Sequence, residues 1–556
     1  MCGIVAYVGH QHCESILLLA LSQLEYRGYD SAGLATIQTN GKLWRMRAKG
    51  NISNLTSKLT AYKQLGHIGI AHTRWATHGE ANEHNAHPHI DHEARLAVVQ
   101  NGIIHNYLYL KSKLKHVHFE SNTDTEVIPH LIAHYQREYH LDVLNAIQRT
   151  IDDLEGDFAL AILSVDAPNE LFVYSRNTPL IIAKGEDGYW CASDLVALTA
   201  CHSYWRLPYQ VLTKISSQQV DLLGHEIPKW HIMPSLDLNK QGYDSYMLKE
   251  IYEQPNIIAI SARWQPPYAL KAIKSIQIIA AGSSWHAALM AQYVLEKHAR
   301  IPTRVWVASE YIAAKPPLSA CSMTIAISQS GETADVLKAM QWENQRRKWQ
   351  NRLYQGKLVA ITNRKESTLA QYVNEIWPMN AGIEMAVAAT KSFVSTVIMF
   401  YRLAGIQTSY LLSLVEAIQQ VFQHDFKTMA ARVAQFQQCI FMGKGLLWPI
   451  ALEAALKLTE VANIASQAYA AGEMKHGYLA LLCPETLVIC LSCAEHQIQE
   501  VEARGAPVIR FDFAGDELHV SILTLISLQL LSYYVAQIKS LDVDRPRHLA
   551  KSVTVY

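Results

Sequence analysis

Short apolar runs separated by polar turns dominate roughly the first 220 residues of the chain. Runs of four to six residues, rich in aliphatic side chains, lie at 4–8, 69–72, 96–99, 158–163, 171–174 and 180–183. Runs of this length predict β-strands, whereas the longer stretches at 15–24 and 125–139 predict helices. Many strands with few helices predict an α+β domain in which stacked sheets carry some helices.

The pattern changes after residue 245 to a strand, a turn of small residues and then a long helix. Apolar runs at 275–281 and 323–327 are each followed by Gly- and Ser-containing turns and by helical sequence. This alternation predicts parallel sheets with helices on both faces. The stretch from 225 to 245 contains Pro228 and Pro234 and has no clear periodicity, so it is predicted to be a linker.

The second half also repeats itself. An apolar run ends at Gly282 and another at Gly443, and Glu310 and Glu473 follow these glycines at similar distances, so the two copies are offset by about 160 positions. The sequence therefore predicts two copies of one doubly wound α/β domain. The resulting division is a first domain at 2–224, the linker at 225–245, α/β domains at 246–400 and 430–541, and a C-terminal tail at 542–556.

Composition narrows the classes of function. The 49 Lys and Arg balance the 49 Asp and Glu, which argues against a nucleic-acid binder, because such proteins carry a basic face. The nine Cys are scattered, as expected of reduced thiols in a cytoplasmic protein, and Cys490-x-x-Cys493 is interpreted as part of a core strand. No signal peptide is recognised, and the apolar stretch 520–538 is interrupted by polar residues, so a buried helix is predicted there rather than a membrane span.

Two loops in the first α/β copy have the composition of a phosphate site. Gly282-Ser283-Ser284 and the segment from Ser328 to Thr333 each follow a predicted strand and precede a helix. Ligands of such sheets bind beyond the carboxyl ends of the strands, where helix N-termini present free N–H groups. Neither loop matches a nucleotide-binding motif. Ordinary Ser-rich N-capping is the alternative, but two loops together favour a phosphorylated ligand.

Cys2 directly follows the initiator methionine. If Met1 is removed, Cys2 carries both a thiol and an α-amine whose ordinary pKa of about 7.7–8.0 suits a general base. Nucleophile and base would then lie on one residue. Taken alone, a cysteine at the second position is more often a chance occurrence than a catalytic residue.

The residues around these features carry a resemblance to a known family. CGIVAYVG, LEYRGYDSAG, AHTRWATHG, NAHPH, QNGIIHN and SNTDTE resemble the N-terminal-nucleophile (Ntn) glutamine amidotransferases. With KEIYEQP, SQSGETAD, ALEAALKLTE, AYAAGEMKHG and DVDRPRHLAKSVTV, the whole chain resembles the glutamine–fructose-6-phosphate aminotransferases. The resemblance implies an Ntn amidotransferase layered domain followed by two doubly wound sugar isomerase (SIS) domains, and a cytoplasmic homodimer that acts on glutamine and a sugar phosphate.

In the amidotransferase domain, the resemblance implies that Cys2 attacks the glutamine amide and that Asn101 and Gly102 form the oxyanion hole. Arg74 is expected to bind the substrate carboxylate and Asp124 its ammonium group. Trp75 resembles a gate to an ammonia channel. The remaining residues that the resemblance assigns to this substrate-binding wall are Thr77 and His78.

In the SIS domains, the resemblance implies a catalytic set on one helix and in the loops after it. Glu453, Lys457 and Glu460 are spaced to share a helix face, which on spacing alone favours a solvated ion-pair stripe. The resemblance makes Glu460 the base that moves a proton between sugar carbons. It also implies ring opening by His476 supplied across a dimer interface, a role for Lys551 in isomerisation, and sugar-phosphate contacts from Ser283, Ser284, Ser328, Gln329, Ser330, Thr333 and Val387.

Some positions depart from the family pattern. Ala281, Ala389 and Tyr478 replace residues that are usually Cys, Ser and Pro, which leaves open a paralogue that aminates another keto-sugar phosphate. A sugar-phosphate sensor without turnover is a further alternative, although the retained catalytic set speaks against it. The histidines 84, 87, 89 and 92 lack other ligands at metal-binding spacing, so no metal is predicted. No organic cofactor, nucleic acid or membrane partner is expected.

Overall fold

The computed structural model describes residues 2–59, 66–76, 79–267 and 270–554. The chain divides into two compact units: the first comprises the chain up to Leu238 together with the described residues 552–554, and the second runs from Asn239 to Lys551. This boundary lies inside the predicted linker 225–245. The predicted linker contains regular structure, because His231–Ile232 within it pairs as an edge strand with Ser203–Arg206 in the first unit.

The first unit contains fourteen strands and five helices among its described residues. The strands are β1 (Gly3–Gly9), β2 (Ser31–Gln38), β3 (Leu43–Lys49), β4 (Gly66–Arg74), β5 (His89–Ile90), β6 (Leu96–Gly102), β7 (Phe158–Ser164), β8 (Leu171–Arg176), β9 (Ile181–Lys184), β10 (Gly188–Ala192), β11 (Ser203–Arg206), β12 (Thr213–Ile215), β13 (Val220–Asp221) and β14 (His231–Ile232). The helices are α1 (Cys13–Ser22), α2 (Ile52–Leu59), α3 (Tyr107–Lys113), α4 (Val127–Glu138) and α5 (Val143–Asp153).

These strands form two sheets that pack face to face. The first has the order β14-β11-β9-β10-β1-β4-β2-β3 and the second β13-β12-β8-β7-β6-β5. Alternate residues of each strand face the shared core, as period-two alternation requires: Ile4, Ala6 and Val8 of β1 pack in the same cluster as Ala159 and Ala161 of β7. The opposite face of the second sheet packs on α3, α4 and α5, and α1 lies against the first sheet. The predicted α+β layered domain is therefore confirmed.

The second unit contains the remaining elements. Its strands are β15 (Ser275–Ala280), β16 (Thr303–Val307), β17 (Ser322–Ile327), β18 (Lys357–Thr362), β19 (Glu375–Pro378), β20 (Gln438–Gly443), β21 (Ala465–Ala470), β22 (Thr486–Leu491) and β23 (Val508–Phe511). Its helices are α6 (Tyr246–Tyr252), α7 (Gln254–Ala262), α8 (Ser283–Val294), α9 (Ala308–Ala314), α10 (Ala334–Lys348), α11 (Arg352–Gln355), α12 (Lys391–Leu403), α13 (Thr408–Val421), α14 (Phe426–Val433), α15 (Leu447–Ala462), α16 (Glu495–Glu502) and α17 (Glu517–Ile538).

The two sheets of this unit repeat one strand order. The first is β16-β15-β17-β18-β19 and the second β21-β20-β22-β23, and all neighbours are parallel. In each copy, the strand that comes first along the chain (β15 or β20) lies between the second and the third. This order is the flavodoxin-like doubly wound arrangement. The predicted internal duplication is confirmed. One continuous apolar cluster joins β15 and β17 to β20 and β22, so the copies share a core.

Helix α17 contains the apolar stretch whose burial was predicted from the sequence. Within the described part of the chain it is the one helix long and apolar enough to cross a membrane, but 89% of its apolar window is buried inside the structure. Its serines hydrogen-bond back to the helix, as Ser527 does to the Leu523 carbonyl. The prediction of a buried core helix is confirmed.

Glu343 of α10 lies at the centre of a buried polar network on the outer face of the first parallel sheet. Its carboxylate accepts hydrogen bonds from Tyr311 (2.7 Å), Thr324 (3.1 Å), Arg347 (2.5 Å) and Arg346. Burial alone would raise the pKa of Glu343, but the two arginines outweigh it and lower the pKa. The network connects α9, β17 and α10 through one charge.

We therefore predict that Glu343→Gln lowers the free energy of unfolding by about 3 kcal/mol, because it leaves two guanidinium groups in the network without their counter-charge. The matched control is Glu495→Gln, which breaks the exposed ion pair with Arg510 and is expected to cost less than about 1 kcal/mol. Urea denaturation followed by tryptophan fluorescence measures both. Equal effects of the two variants would contradict the prediction.

Candidate active site

Cys2 lies at the start of the central strand of the first sheet. The strand β1 begins at Gly3 and pairs with β10 on one side and β4 on the other. The backbone N–H of Trp75, just beyond β4, donates to Cys2 Sγ at 3.3 Å. Arg27 Nε donates to the Cys2 carbonyl oxygen at 3.2 Å. These contacts fix a half-buried thiol at the end of a rigid strand.

Asn101 and Gly102 end strand β6 in the second sheet and lie against the same residue. Asn101 Nδ2 donates to the Cys2 carbonyl oxygen at 3.1 Å. Gly102 has φ +103°, and a Cβ there would lie 2.0 Å from the Asp157 carbonyl oxygen, so no larger residue fits. The Asn101 amide thus contacts Cys2, and Gly102 follows it at the end of β6; an oxyanion hole formed by these two residues stays a prediction.

Arg74 ends β4 and is buried beside the same thiol. Its guanidinium donates to the carbonyl oxygens of Gly79 (3.5 Å) and Glu80 (3.3 Å). Burial lowers the pKa of Arg74, while Cys2, Asp30 and Asp124 act in the opposite direction. Asp124 is also buried and accepts a hydrogen bond from the Ile104 N–H at 2.7 Å. The structure thus brings together Cys2, Arg74, Trp75, Asn101 and Asp124, whereas Thr77 and His78 lie outside the described residues.

The histidine-rich segment that follows forms part of a buried polar core. His87 stacks on His72 with ring centroids 4.1 Å apart, and His89 packs edge-on against His87. His87 and His89 hydrogen-bond to Thr125 (3.3 Å) and Thr123 (3.0 Å). Within the described ranges, no three His, Cys, Asp or Glu side chains are grouped so as to hold a metal ion.

The two predicted phosphate loops lie side by side in the second unit. Strands β15 and β17 are adjacent and parallel, so Ser283 after β15 and Ser328 after β17 lie at the same edge of the sheet. This is the point at which the strand order reverses, where ligands bind in such sheets. Ser328 Oγ hydrogen-bonds to Thr333 Oγ1 at 2.9 Å and accepts from the Gly331 N–H at 3.0 Å. Ser284 lies half-buried in the first turn of α8, and Gln329 and Ser330 complete the second loop.

Helix α15 of the second copy places a row of charges beside Ser283. Glu453 accepts from Ser283 Oγ at 2.9 Å, and Lys457 Nζ lies 3.3 Å from Glu453 and 2.5 Å from Glu460. Glu453 and Lys457 are 0% and 1% exposed. The alternative of a solvated ion-pair stripe is therefore wrong for these two residues, because their charges are paired inside the protein.

His286, which the sequence analysis did not select, completes this cluster. Its Nδ1 lies 2.8 Å from Glu453 Oε2. Burial alone would raise the pKa of Glu453, but Lys457, His286 and Ser283 outweigh it and lower the pKa. The pKa of Lys457 is raised: burial opposes this shift, but Glu453 and Glu460 outweigh it. Glu460 remains partly exposed at the end of this chain of contacts, with 19% of its side chain accessible.

Lys551 forms a second buried ion pair. Its Nζ donates to Glu384 Oε2 at 2.7 Å and to the Ala386 carbonyl oxygen at 2.6 Å. Glu384, also missed from the sequence, accepts three further hydrogen bonds from the backbone of Thr390 and from Ser392. The neighbouring Val387 N–H donates to Asp544 of the tail. The near-terminal lysine is thus held by the segment that contains Val387.

Among the predicted site residues that the structure describes, His476 alone has an exposed side chain. It follows a short 3-10 turn at Ala471–Lys475, and its backbone N–H donates to the Glu473 carbonyl at 2.9 Å. Tyr478, the departure from the family pattern, stacks on Tyr469 with ring centroids 3.8 Å apart. The side chain of His476 is therefore accessible to solvent.

The loop of the second copy that corresponds to Gly282-Ser283-Ser284 contains no hydroxyl. It reads Gly443-Lys444-Gly445-Leu446 before α15. Glu517 Oε1 accepts from the Leu446 N–H at 3.5 Å, and Glu517 Oε2 pairs with Lys297 at 2.5 Å. A carboxylate of the chain itself therefore lies at the helix start that corresponds to the phosphate loop of the first copy.

Comparison with known proteins agrees with this arrangement. The model of the glutamine amidotransferase domain matches residues 72–200, and that of the SIS domain matches 269–405 and 433–512. The C-terminal domain of glucosamine-fructose-6-phosphate aminotransferase from Francisella tularensis covers 55% of this chain and 100% of its own, with TM-score 0.50 and 31% identity. The fold and these matches thus define a glutamine amidotransferase domain joined to SIS domains.

Full-length relatives give the particular family. Glutamine--fructose-6-phosphate aminotransferase [isomerizing] of Synechocystis sp. is 40% identical over 632 aligned positions, with 100% of both chains covered. The protein of the same name from Thermosynechococcus vestitus is 42% identical over 634 positions, again with 100% of both chains covered. The chain belongs to the glutamine–fructose-6-phosphate aminotransferase (isomerizing) family.

The Glu384–Lys551 pair generates a pH-dependent prediction. Burial alone would raise the pKa of Glu384, but Lys551 and Ser392 outweigh it and lower the pKa to about 2. A folded pKa below the unfolded value of about 4.3 stabilises the fold above the unfolded pKa, and this stabilisation is lost as the pH falls toward 2. Glu384→Gln is expected to cost about 3 kcal/mol at pH 7, and about 0.6 kcal/mol less at pH 4.

Urea denaturation at pH 7, 5 and 4 measures this difference. Glu500→Gln, which removes a surface partner of Lys475, is the control and should show a small cost with little pH dependence. A cost for Glu384→Gln that stays constant with pH would contradict the prediction.

Proposed function

We propose that this chain converts D-fructose 6-phosphate and L-glutamine to D-glucosamine 6-phosphate and L-glutamate, the entry reaction of amino-sugar synthesis. The observation that carries the proposal is the full-length match to the aminotransferase family. The residues at both candidate sites suit the two half-reactions, and they are retained together in one chain.

In the first half-reaction, Cys2 Sγ attacks the glutamine side-chain amide. With Met1 removed, the α-amine of Cys2 takes the thiol proton and then gives it to the departing ammonia. The Asn101 amide and the Gly102 N–H stabilise the oxyanion, Arg74 binds the α-carboxylate and Asp124 the α-ammonium group. Water then hydrolyses the γ-glutamyl thioester to glutamate and restores the thiol.

In the second half-reaction, the ammonia condenses with the open-chain ketose. The hydroxyl-bearing loops at Ser283–Ser284 and Ser328–Thr333 bind the phosphate, and Val387 contacts the sugar. His476 opens the sugar ring, and Lys551 assists isomerisation. Glu460 takes the proton from C1 and returns one to C2, which converts the fructosimine to the aminoaldose. The Glu453–Lys457 pair holds Glu460 beside the substrate.

The exposed position of His476 supports a homodimer in which each subunit supplies this histidine to its partner. A cytoplasmic location follows the family, and Trp75 is proposed to gate the passage of ammonia. The chemistry requires only acid–base and nucleophilic groups, so no metal or organic cofactor is proposed. The replacements at Ala281, Ala389 and Tyr478 keep one second candidate, the amination of a different keto-sugar phosphate.

The direct test supplies the purified protein with glutamine and a panel of ketose phosphates and identifies the products by mass spectrometry. We expect glucosamine 6-phosphate from fructose 6-phosphate as the main amino sugar. A different ketose phosphate as the best substrate would favour the second candidate. The absence of any amino sugar from every ketose phosphate would leave a sugar-phosphate sensor and overturn both enzyme assignments.

Two substitutions are expected to separate the half-reactions. Cys2→Ala should lower glutamine-dependent synthesis by about 10³-fold or more but leave slow synthesis from concentrated ammonia, because only the nucleophile is removed. Glu460→Gln should abolish synthesis from either nitrogen source and keep basal glutamate release. Glu495→Gln, on the exposed face of α16, is the control for both. If Cys2→Ala also lost synthesis from ammonia, or if Glu460→Gln also lost glutamate release, the two sites would not be separable.

A further inference from the structure

The strongest unassigned feature of the first unit is a buried histidine behind the predicted oxyanion hole. His72 lies on β4, is 0% exposed and faces the end of β6. Its Nε2 lies 3.2 Å from Asn101 Oδ1 and 3.0 Å from the Gln100 carbonyl oxygen. Both of these neighbours are oxygen atoms, so Nε2 binds them only when it carries the proton.

The hydrogen bonds around Asn101 determine which way its amide points. Its Nδ2 donates to the Cys2 carbonyl oxygen, so Oδ1 is the atom that faces His72. If the amide were rotated by 180°, its oxygen would face the Cys2 carbonyl and its N–H group would face the N–H of His72. Both contacts would then be repulsive, because each would join two acceptors or two donors.

The surroundings of His72 favour the required tautomer. Burial, together with the nearby charge of Arg74, lowers the pKa of His72 to about 3, so the ring stays neutral near neutral pH. Its Nδ1 has no hydrogen-bond partner among the described residues. A proton on Nε2 therefore satisfies the ring's single N–H group and leaves only an acceptor without a partner, whereas a proton on Nδ1 would leave a buried donor unsatisfied.

The ring itself is held in place by its neighbours. His87 stacks on it at a centroid distance of 4.1 Å, and His87 Nδ1 accepts from the Gln100 N–H at 3.2 Å. Thr125 Oγ1 donates to Gln100 Oε1 at 2.6 Å, which leaves Thr125 Oγ1 as the acceptor for His87 Nε2. These hydrogen bonds hold the ring of His87 in one tautomer and one orientation. The ring of His72, which stacks on it, is therefore held in place as well.

We propose that His72 is a positioning residue for the glutaminase half-reaction: its Nε2–H group holds the Asn101 amide with Nδ2 directed at Cys2, whose carbonyl oxygen it contacts at 3.1 Å. The proposal rests on the proposed function, because it assigns a role within that reaction. His72 does not exchange a proton with substrate. It acts through Asn101, whose preorganised donor is useful only when it already points at the forming oxyanion.

The test measures glutamate release from glutamine in full-length variants. His72→Leu removes the donor and should lower kcat by about 10- to 100-fold, a part of the loss caused by removing an oxyanion-hole donor, with KM for glutamine changed less than about twofold. His72→Gln places an amide N–H near the Nε2 position and should restore kcat to within about fivefold of the wild type, whereas the shorter His72→Asn should not. His89→Gln, a buried histidine that contacts Thr123 and not Asn101, is the control.

A double-substitution cycle makes the test specific. Because His72 acts through Asn101, His72→Leu should change kcat by less than about twofold when Asn101 is already alanine. Multiplying losses in the double variant, or equal activities of the Gln and Asn variants, would overturn the proposal. The Gln and Asn comparison decides the matter even if the Leu variant fails to fold. Failure of the proposed function is distinct, since the wild type itself would then release no glutamate.

Discussion

The candidate sugar site depends on the hydrogen bonds and the ion pair formed by the buried carboxylate of Glu453. It accepts hydrogen bonds from Ser283 and His286 on α8, which follows the first strand of one sheet, and it pairs with Lys457 on α15 of the other. A carboxylate without exposure is stable only when its partners are in place. The two copies of the α/β fold are therefore bound by charge as well as by their shared apolar core, and Glu460 is positioned as a result.

The two units offer different kinds of groups for binding a negatively charged part of a substrate. In the second unit, the loops beside the predicted phosphate offer hydroxyls and helix N-termini rather than a cluster of exposed cations, which is compatible with a chain of zero net charge. In the first unit, Arg74 is a full charge kept beside Cys2 despite its burial. We thus expect the phosphate of the sugar to be bound by hydroxyl and backbone N–H groups, and the carboxylate of glutamine to be bound by a guanidinium group.

Local sequence was sufficient for much of the fold. Strands such as β1, β6 and β7 and the burial of α17 follow from the pattern of apolar residues, which is a property of neighbouring residues. The duplication follows from landmarks that recur along the chain, whereas the strand order within each copy comes from the structure. The edge strand His231–Ile232 was not foreseen, because a two-residue strand has no periodicity and exists only through its partner. His286 and Glu384 escaped notice for a related reason: their partners Glu453 and Lys551 are 167 positions away in each case, and no local pattern encodes such contacts. The roles proposed for Cys2 and Glu460 come from whole motifs, since neither residue is distinctive alone.

The loop Gly443-Lys444-Gly445-Leu446 has a consequence for the history of the molecule. After a duplication, two identical domains would each bind a ligand at the same edge of the sheet. In this chain the second copy has no hydroxyls at that position, and Glu517 lies at the helix start instead. Helix α15 contributes Glu453 and Lys457 to the cluster around Ser283 and His286 of the first copy. Equivalent positions of the two copies have thus diverged: the first carries hydroxyls at this edge, and the second contributes charged side chains to its neighbour.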